Sequence, residues 1–143
     1  MKAIVSIVAL VVVASCTNTS TTRLSQNMVR IDASAAPACG RAGADKLVAR
    51  MAAVETLRAG YDRYQIAAMD SRNNIQTVGA TLNTIGTTTT VSPILAGTRD
   101  ANVVVVMFRS GDPAARNAID ARSALGGDWQ AIVAKGTPTT CLD

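Results

Sequence analysis

Apolar and polar positions alternate, repeat or run together in clearly different ways along this chain. Ala3 to Ala14 is an almost unbroken apolar run. Met28 to Ala33 alternates, with Val29, Ile31 and Ala33 against Met28, Arg30 and Asp32, which predicts a half-buried strand. Ala35 to Gly40 reads as a turn. From Gly43 to Ala59, Leu47, Met51 and Val54 recur at helical spacing beside Val48 and Leu57. Asp45 near the start and Arg58 near the end suit the helix dipole, and Gly60 stands where a helix stops. Tyr61 to Met69 then predicts a strand with Tyr64 and Ile66 on one face.

Asp70 to Asp100 is rich in Thr, Gly and Asn. Structureless loops of that length are unusual in a compact domain, so one or two irregular strands are expected there. Ile75 to Val78 and Thr87 to Val91 are the candidates, around turns at Gly79 and Gly86, in an edge hairpin. Asn102 to Arg109 is a continuous β-branched run, the pattern of a central strand buried on both faces. Asp112-Pro113 opens a helix to about Ala124, with Asp as cap and Pro in the first turn. Gly126-Gly127 ends it. Asp128 caps a short helix from Trp129 to Lys135, ended by Gly136, and Thr137 to Cys141 is an extended tail. The expected fold is α/β (α+β): a small mixed or antiparallel sheet with helices mainly on one face.

The leading apolar run is roughly a dozen residues, short of the ~20 needed to span a bilayer. With Lys2 before it and small residues after it, it has the form of a secretory signal peptide. Its end, Val13-Ala14-Ser15-Cys16, resembles a bacterial lipobox. That resemblance implies cleavage before Cys16 and a diacylglycerol, with palmitate-type acyl chains, on its sulfur. Plain secretion and a retained anchor are the alternatives. Thr17, in place of an aspartate, resembles an outer-membrane address. The expected organisation is a signal peptide over 1–15, a lipidated cysteine and flexible tether over 16–26, and one domain over 27–143. The expected location is the envelope, lipid-anchored in the outer membrane and facing the periplasm.

With Cys16 given to lipid, Cys39 and Cys141 remain as a pair in an oxidising compartment, where disulfides persist. A bond between them closes a loop of roughly a hundred residues, for which chain entropy gives ~4.7 kcal/mol. A metal or redox site is the poorer reading, because the cysteines are distant and the chain has no histidine.

Ala53 to Asp62 (Ala-Val-Glu-Thr-Leu-Arg-Ala-Gly-Tyr-Asp) is similar to a segment of small proteobacterial envelope lipoproteins with no assigned activity. In those, an alanine-rich helix ends in Gly-Tyr-Asp and enters a strand. Ala118-Ile119-Asp120-Ala121-Arg122 also resembles them. The resemblance covers residues 28–69 and 101–135, and implies a compact α/β fold. Asn117 to Arg122 departs from the spacing of peptidoglycan-binding modules, whose residues are not carried over.

Without histidine there is no Ser-His-Asp triad and no histidine metal site, and the commonest general base is missing. Glu55, the only glutamate, has Arg58 three residues on and reads as a helix-surface carboxylate. Asp112, Asp120 and Asp128 are spaced by eight, and nothing selects a catalytic pair. No phosphate-binding glycine loop is present. The formal charge is +4, mild and spread out, which permits a weak preference for anionic headgroups but argues against nucleic acid. Tyr61 and Asp62, at a helix-to-strand junction, and Trp129 are the candidate interaction surface, although packing of Tyr61 and Trp129 on the core is the favoured reading. The expected function is a non-enzymatic protein-interaction module, with no cofactor and no metal. The alternative is a binding module for a lipid, glycan or peptidoglycan fragment, its site built from Trp129 and the Thr/Asn-rich middle segment. A hydrolase using Asp and Ser/Thr has the least support.

Overall fold

The computed structural model describes residues 17–40 and 42–136. Cys16 and Cys141, and with them the expected signal peptide, lipid site and far end of the expected disulfide, lie outside those residues. In chain order the elements are β1 (Thr17–Arg23), β2 (Met28–Ala35), α1 (Gly43–Arg58), β3 (Arg63–Asn73), β4 (Gln76–Ile85), β5 (Thr88–Ala96) and β6 (Arg99–Phe108). The two-residue strand β7 (Ile119–Asp120), α2 (Ala121–Leu125) and α3 (Trp129–Lys135) follow. The fold is α+β. Five strands form one sheet in the order β1-β2-β6-β3-β7, and every pairing in it is antiparallel.

Alternation builds the core. Val29, Ile31, Ala33 and Ala35 of β2 and Ala101, Val103, Val105 and Met107 of β6 point to one face and are buried. α1 lies across that face with Leu47, Val48 and Met51. Its buried alanines, Ala44, Ala52 and Ala53, let the helix axis approach the sheet closely. α2 and α3 pack against α1, so the helices gather on one side.

α1 ends as its sequence suggests. Gly60 has φ +81, the Gly60 amide bonds to Leu57 O at 3.1 Å and the Tyr61 amide to Thr56 O at 3.0 Å. This is the Schellman closure that needs a left-handed residue, and glycine adopts it without strain.

Six expectations are corrected. The tether is not loose: Thr17–Arg23 is a strand paired with β2 over its whole length, from Thr17↔Ala35 to Arg23↔Val29. Threonine favours strands, and β2 would otherwise be a bare edge. β6 is central but buried on one face only, since Val104, Val106 and Phe108 remain half-buried. The helix expected from Pro113 to Ala124 is broken into a 3-10 turn (Pro113–Asn117), β7 and α2. Ile119 and Asp120 are taken by pairing with Tyr64 and Arg63. Asp112 and Asp120 do cap, accepting from the amides of Ala114 and Ser123, whereas Asp128 makes no cap bond.

The fifth correction concerns β3. Tyr64 is buried, but Ile66 is exposed. A bulge between Ile66 and Ala68 shifts the register with β6, which turns the following side chains over. β3 and β6 then run out beyond the core. They continue, past a bonded junction of the Asn74 amide with Thr98 O at 2.9 Å, into the hairpin of β4 and β5. Gly79 is no turn; it lies within β4 opposite Ile94.

Candidate functional site

The structure brings two of the three expected surface residues together. Asp62 follows the helix stop. Its Oδ2 accepts from the Ser110 amide at 2.9 Å, and its Oδ1 lies 3.0 Å from Arg122 Nη2. The Arg122 guanidinium stands 5.3 Å from the centre of the Trp129 ring, a cation–π distance. The Ser110 bond and Arg122 hold the Asp62 carboxyl below the usual carboxylate range, against a smaller opposing effect of burial. Tyr61 goes elsewhere: its hydroxyl donates to Gln26 O at 3.2 Å, and the Arg109 guanidinium stands 5.8 Å from its ring.

These contacts join the β3 entrance, the β6–β7 connection, α2 and α3. They fasten the chain more than they present it. Asp62 has its acceptor oxygens engaged, and Trp129 is half-buried under a cation. Asp120 is likewise committed, its carboxyl held low by the Ser123 amide. Glu55 lies 3.8 Å from Arg58 Nη1, as the helical spacing suggested. Arg58 also donates to Val133 O at 3.1 Å, tying α1 to α3.

A groove of about 520 Å³ runs between α1 and the α2–α3 pair, lined by Lys46, Arg50, Tyr64, Leu125 and Ile132 among others. Trp129 does not line it. The Tyr64 hydroxyl is pushed up by burial, which favours its neutral form. The middle segment is remote from this groove. β7 pairs at Arg63, the start of β3, whereas the hairpin leaves from Asn73, its end. Ten residues of strand separate the two, about 33 Å. Trp129 and the middle segment therefore do not share a site. No three His, Cys, Asp or Glu side chains gather to hold a metal among the described residues.

The hairpin expected between residues 70 and 100 is present, with longer strands than expected, and what sequence reasoning missed is that it projects from the sheet. β4 and β5 form a two-stranded sheet of their own, and every residue of both strands is exposed. Among the described residues they pack substantially only on each other. From Ile75 to Thr98 there is no charged side chain. Val78, Leu82, Ile85, Val91, Ile94 and Leu95 are all exposed, Ile85 at 84%. Opposed residues share a face, so Ala80, Leu82, Val91, Pro93 and Leu95 lie on one side of the arm. Thr81, Asn83, Thr90 and Ser92 lie on the other, with Ile94 and Ile85 at its two ends. A contiguous apolar stripe on a projecting, uncharged arm is a candidate interaction surface. The signal was in the sequence, as a charge-free stretch of alternating Thr and aliphatic residues.

The root of the arm is built tightly. Gly97 has φ +119, and a Cβ there would stand 2.1 Å from Asn74 O. Asn74 donates through its side chain to Asp100, whose other oxygen accepts from Ser34 Oγ at 2.7 Å. These bonds, the Ser34 one first, hold the Asp100 carboxyl below its usual range.

Comparison with protein-family models, with curated proteins and with solved structures finds no match.

Proposed function

We propose that this chain is a lipid-anchored protein of the bacterial envelope that works as a non-enzymatic protein-interaction module, with the β4–β5 arm as its contact element. The arm carries this reading. An exposed two-stranded sheet offers unpaired main-chain groups on its outer edges, and a partner strand can add to them. Its apolar face rewards a partner that covers it, and the absence of charge removes the desolvation cost a charged arm would meet.

The address rests on residues 1–17. The basic start, the apolar run and Val13-Ala14-Ser15-Cys16 support a signal peptide and a lipid on Cys16, as in the small envelope lipoproteins the chain resembles. An outer-membrane position facing the periplasm belongs to the same reading. So does a Cys39–Cys141 disulfide, which we assign because these two cysteines remain in an oxidising compartment once Cys16 carries lipid.

The test is in-cell cross-linking of the tagged, full-length chain, followed by mass spectrometry of what is captured and of the mature N-terminus. An envelope protein captured by a diacylated Cys16 form supports the proposal. Capture of peptidoglycan alone favours ligand binding, and an unmodified Cys16 removes the anchor.

A further inference from the structure

We propose that the partner of the arm is a second copy of this chain, added edge to edge through β4 about a two-fold axis at Leu82. This rests on the reading of the arm as a protein-contact element and adds the identity of the partner.

The two edges of the arm differ. Ile85 and Thr88 close a two-residue loop in which Gly86 alone has positive φ, as a type II′ turn requires. That closing pair is hydrogen-bonded, and pairs alternate along an antiparallel ladder. Ala80↔Pro93, Leu82↔Val91 and Thr84↔Thr89 are therefore the pairs whose main-chain groups turn outward. Pro93 fits this assignment, because it has no N–H to give to β4. Its place also removes a donor from the outer edge of β5, the device that blunts edge strands. β4 keeps all of its outward donors at Ala80, Leu82 and Thr84. Among the described residues no strand pairs with that edge.

The usable length of the β4 edge has two limits. A bulge interrupts the ladder between Thr77 and Gly79, and the turn begins after Ile85. The stretch between them is Gly79 to Ile85, and its middle residue is Leu82. An antiparallel partner of the same sequence, centred there, sets Leu82 against its copy and Ala80 against Thr84. Every outward group then meets an outward group. The joined arms form a four-stranded sheet whose apolar stripes, Leu82 and Val91 from each copy, are continuous. Isologous pairing of this kind closes at two copies. Charge does not oppose it: the chain is net positive, but the arm contributes none of that charge.

The sheet register also places the arm where copies would meet. Thr17 pairs with Ala35, Ala35 with Arg99, and Arg99 with Asn73. These four residues form one row across the end of the sheet, about 14 Å long at the usual strand spacing. The arm leaves the sheet at that row, and the residue before Thr17 is the proposed lipid site. Two anchored copies thus hold their arm roots at the same height over one membrane. Confinement to that layer raises the effective concentration of each arm for the other.

The experiment is the mass, in detergent solution, of the full-length protein and of two variants that each remove one outward N–H. Leu82→Pro acts on the β4 edge and Val91→Pro on the β5 edge, with circular dichroism checking that both keep the core fold. The proposal expects the wild type and Val91→Pro at twice the chain mass and Leu82→Pro at the single mass. A single-mass wild type overturns it, as does equal behaviour of the two variants. A single-mass protein that still cross-links one other envelope protein in cells overturns the second-copy inference and leaves the interaction reading standing. If, in a single-mass protein, the fluorescence added by Leu82→Trp is quenched by a lipid-borne quencher, the arm's occupant is lipid and both readings of it fall.

Discussion

Asp62 and Arg122 join the start of β3 to α2 at 3.0 Å, and Arg122 in turn covers the ring of Trp129. The arrangement makes this corner a clasp. Asp62→Ala leaves the Ser110 amide without its acceptor and Arg122 without its carboxylate. A loss of about 1 kcal/mol is expected, the usual net value of such a bond at a partly exposed site. Chemical denaturation measures it. Trp129 is the only tryptophan, so its fluorescence should also change in Arg122→Met and stay unchanged in Leu82→Pro.

Acid should loosen the fold in a defined window. Asp62, Asp100 and Asp120 all have carboxyls held below the ordinary value of 3.8. In that case the unfolded chain binds more protons than the folded one, so stability rises with pH. The contribution is complete above about pH 4 and is lost as pH falls through the lowered native values. Melting temperature followed from pH 6 to pH 2 should fall below about pH 4. Asp100→Asn should fall less steeply there than wild type, because one of the three groups is gone.

The core depends on α1. Met51 is 1% exposed between the helix and the sheet, so Met51→Ala should cost about 2–5 kcal/mol. Thr56 is a contrasting case. It is fully buried, but its hydroxyl donates to Ala52 O at 2.7 Å, a carbonyl of its own helix. Such back-bonding adds little to a helix, so Thr56→Val should stay within about 1 kcal/mol of wild type. Urea titration of both variants checks the pair.

Gly97→Ala tests the arm as a separate unit. The new methyl would collide with Asn74 O, so the root must open. Limited proteolysis should then cut faster between residues 74 and 98. The main sheet, which shares few contacts with the arm, should keep its melting temperature within a few degrees.

Much of the main sheet was legible in the chain. β2 and α1 follow from period-two and helical spacing, and β6 from its β-branched run. These patterns survive because each element meets the core through its own face. What failed involved partners distant in sequence. Ile119 and Asp120 look helical until Tyr64 and Arg63 claim them as a strand. Thr17–Arg23 looks like a linker until β2 offers an edge. The bulge after Ile66 hides the point at which β3 leaves the core, and so hides the arm. Asp62 and Trp129 were chosen as a recognition surface on residue type alone. The structure shows them occupied with each other's neighbour, Arg122.

The most direct measurement is photo-cross-linking in living cells from a photoreactive amino acid placed at Leu82, with Gln130, exposed on α3, as the control position. The account predicts a protein adduct from Leu82 and none from Gln130, in the membrane fraction and with Cys16 acylated. No protein adduct from Leu82, or equal adducts from both positions, would contradict it.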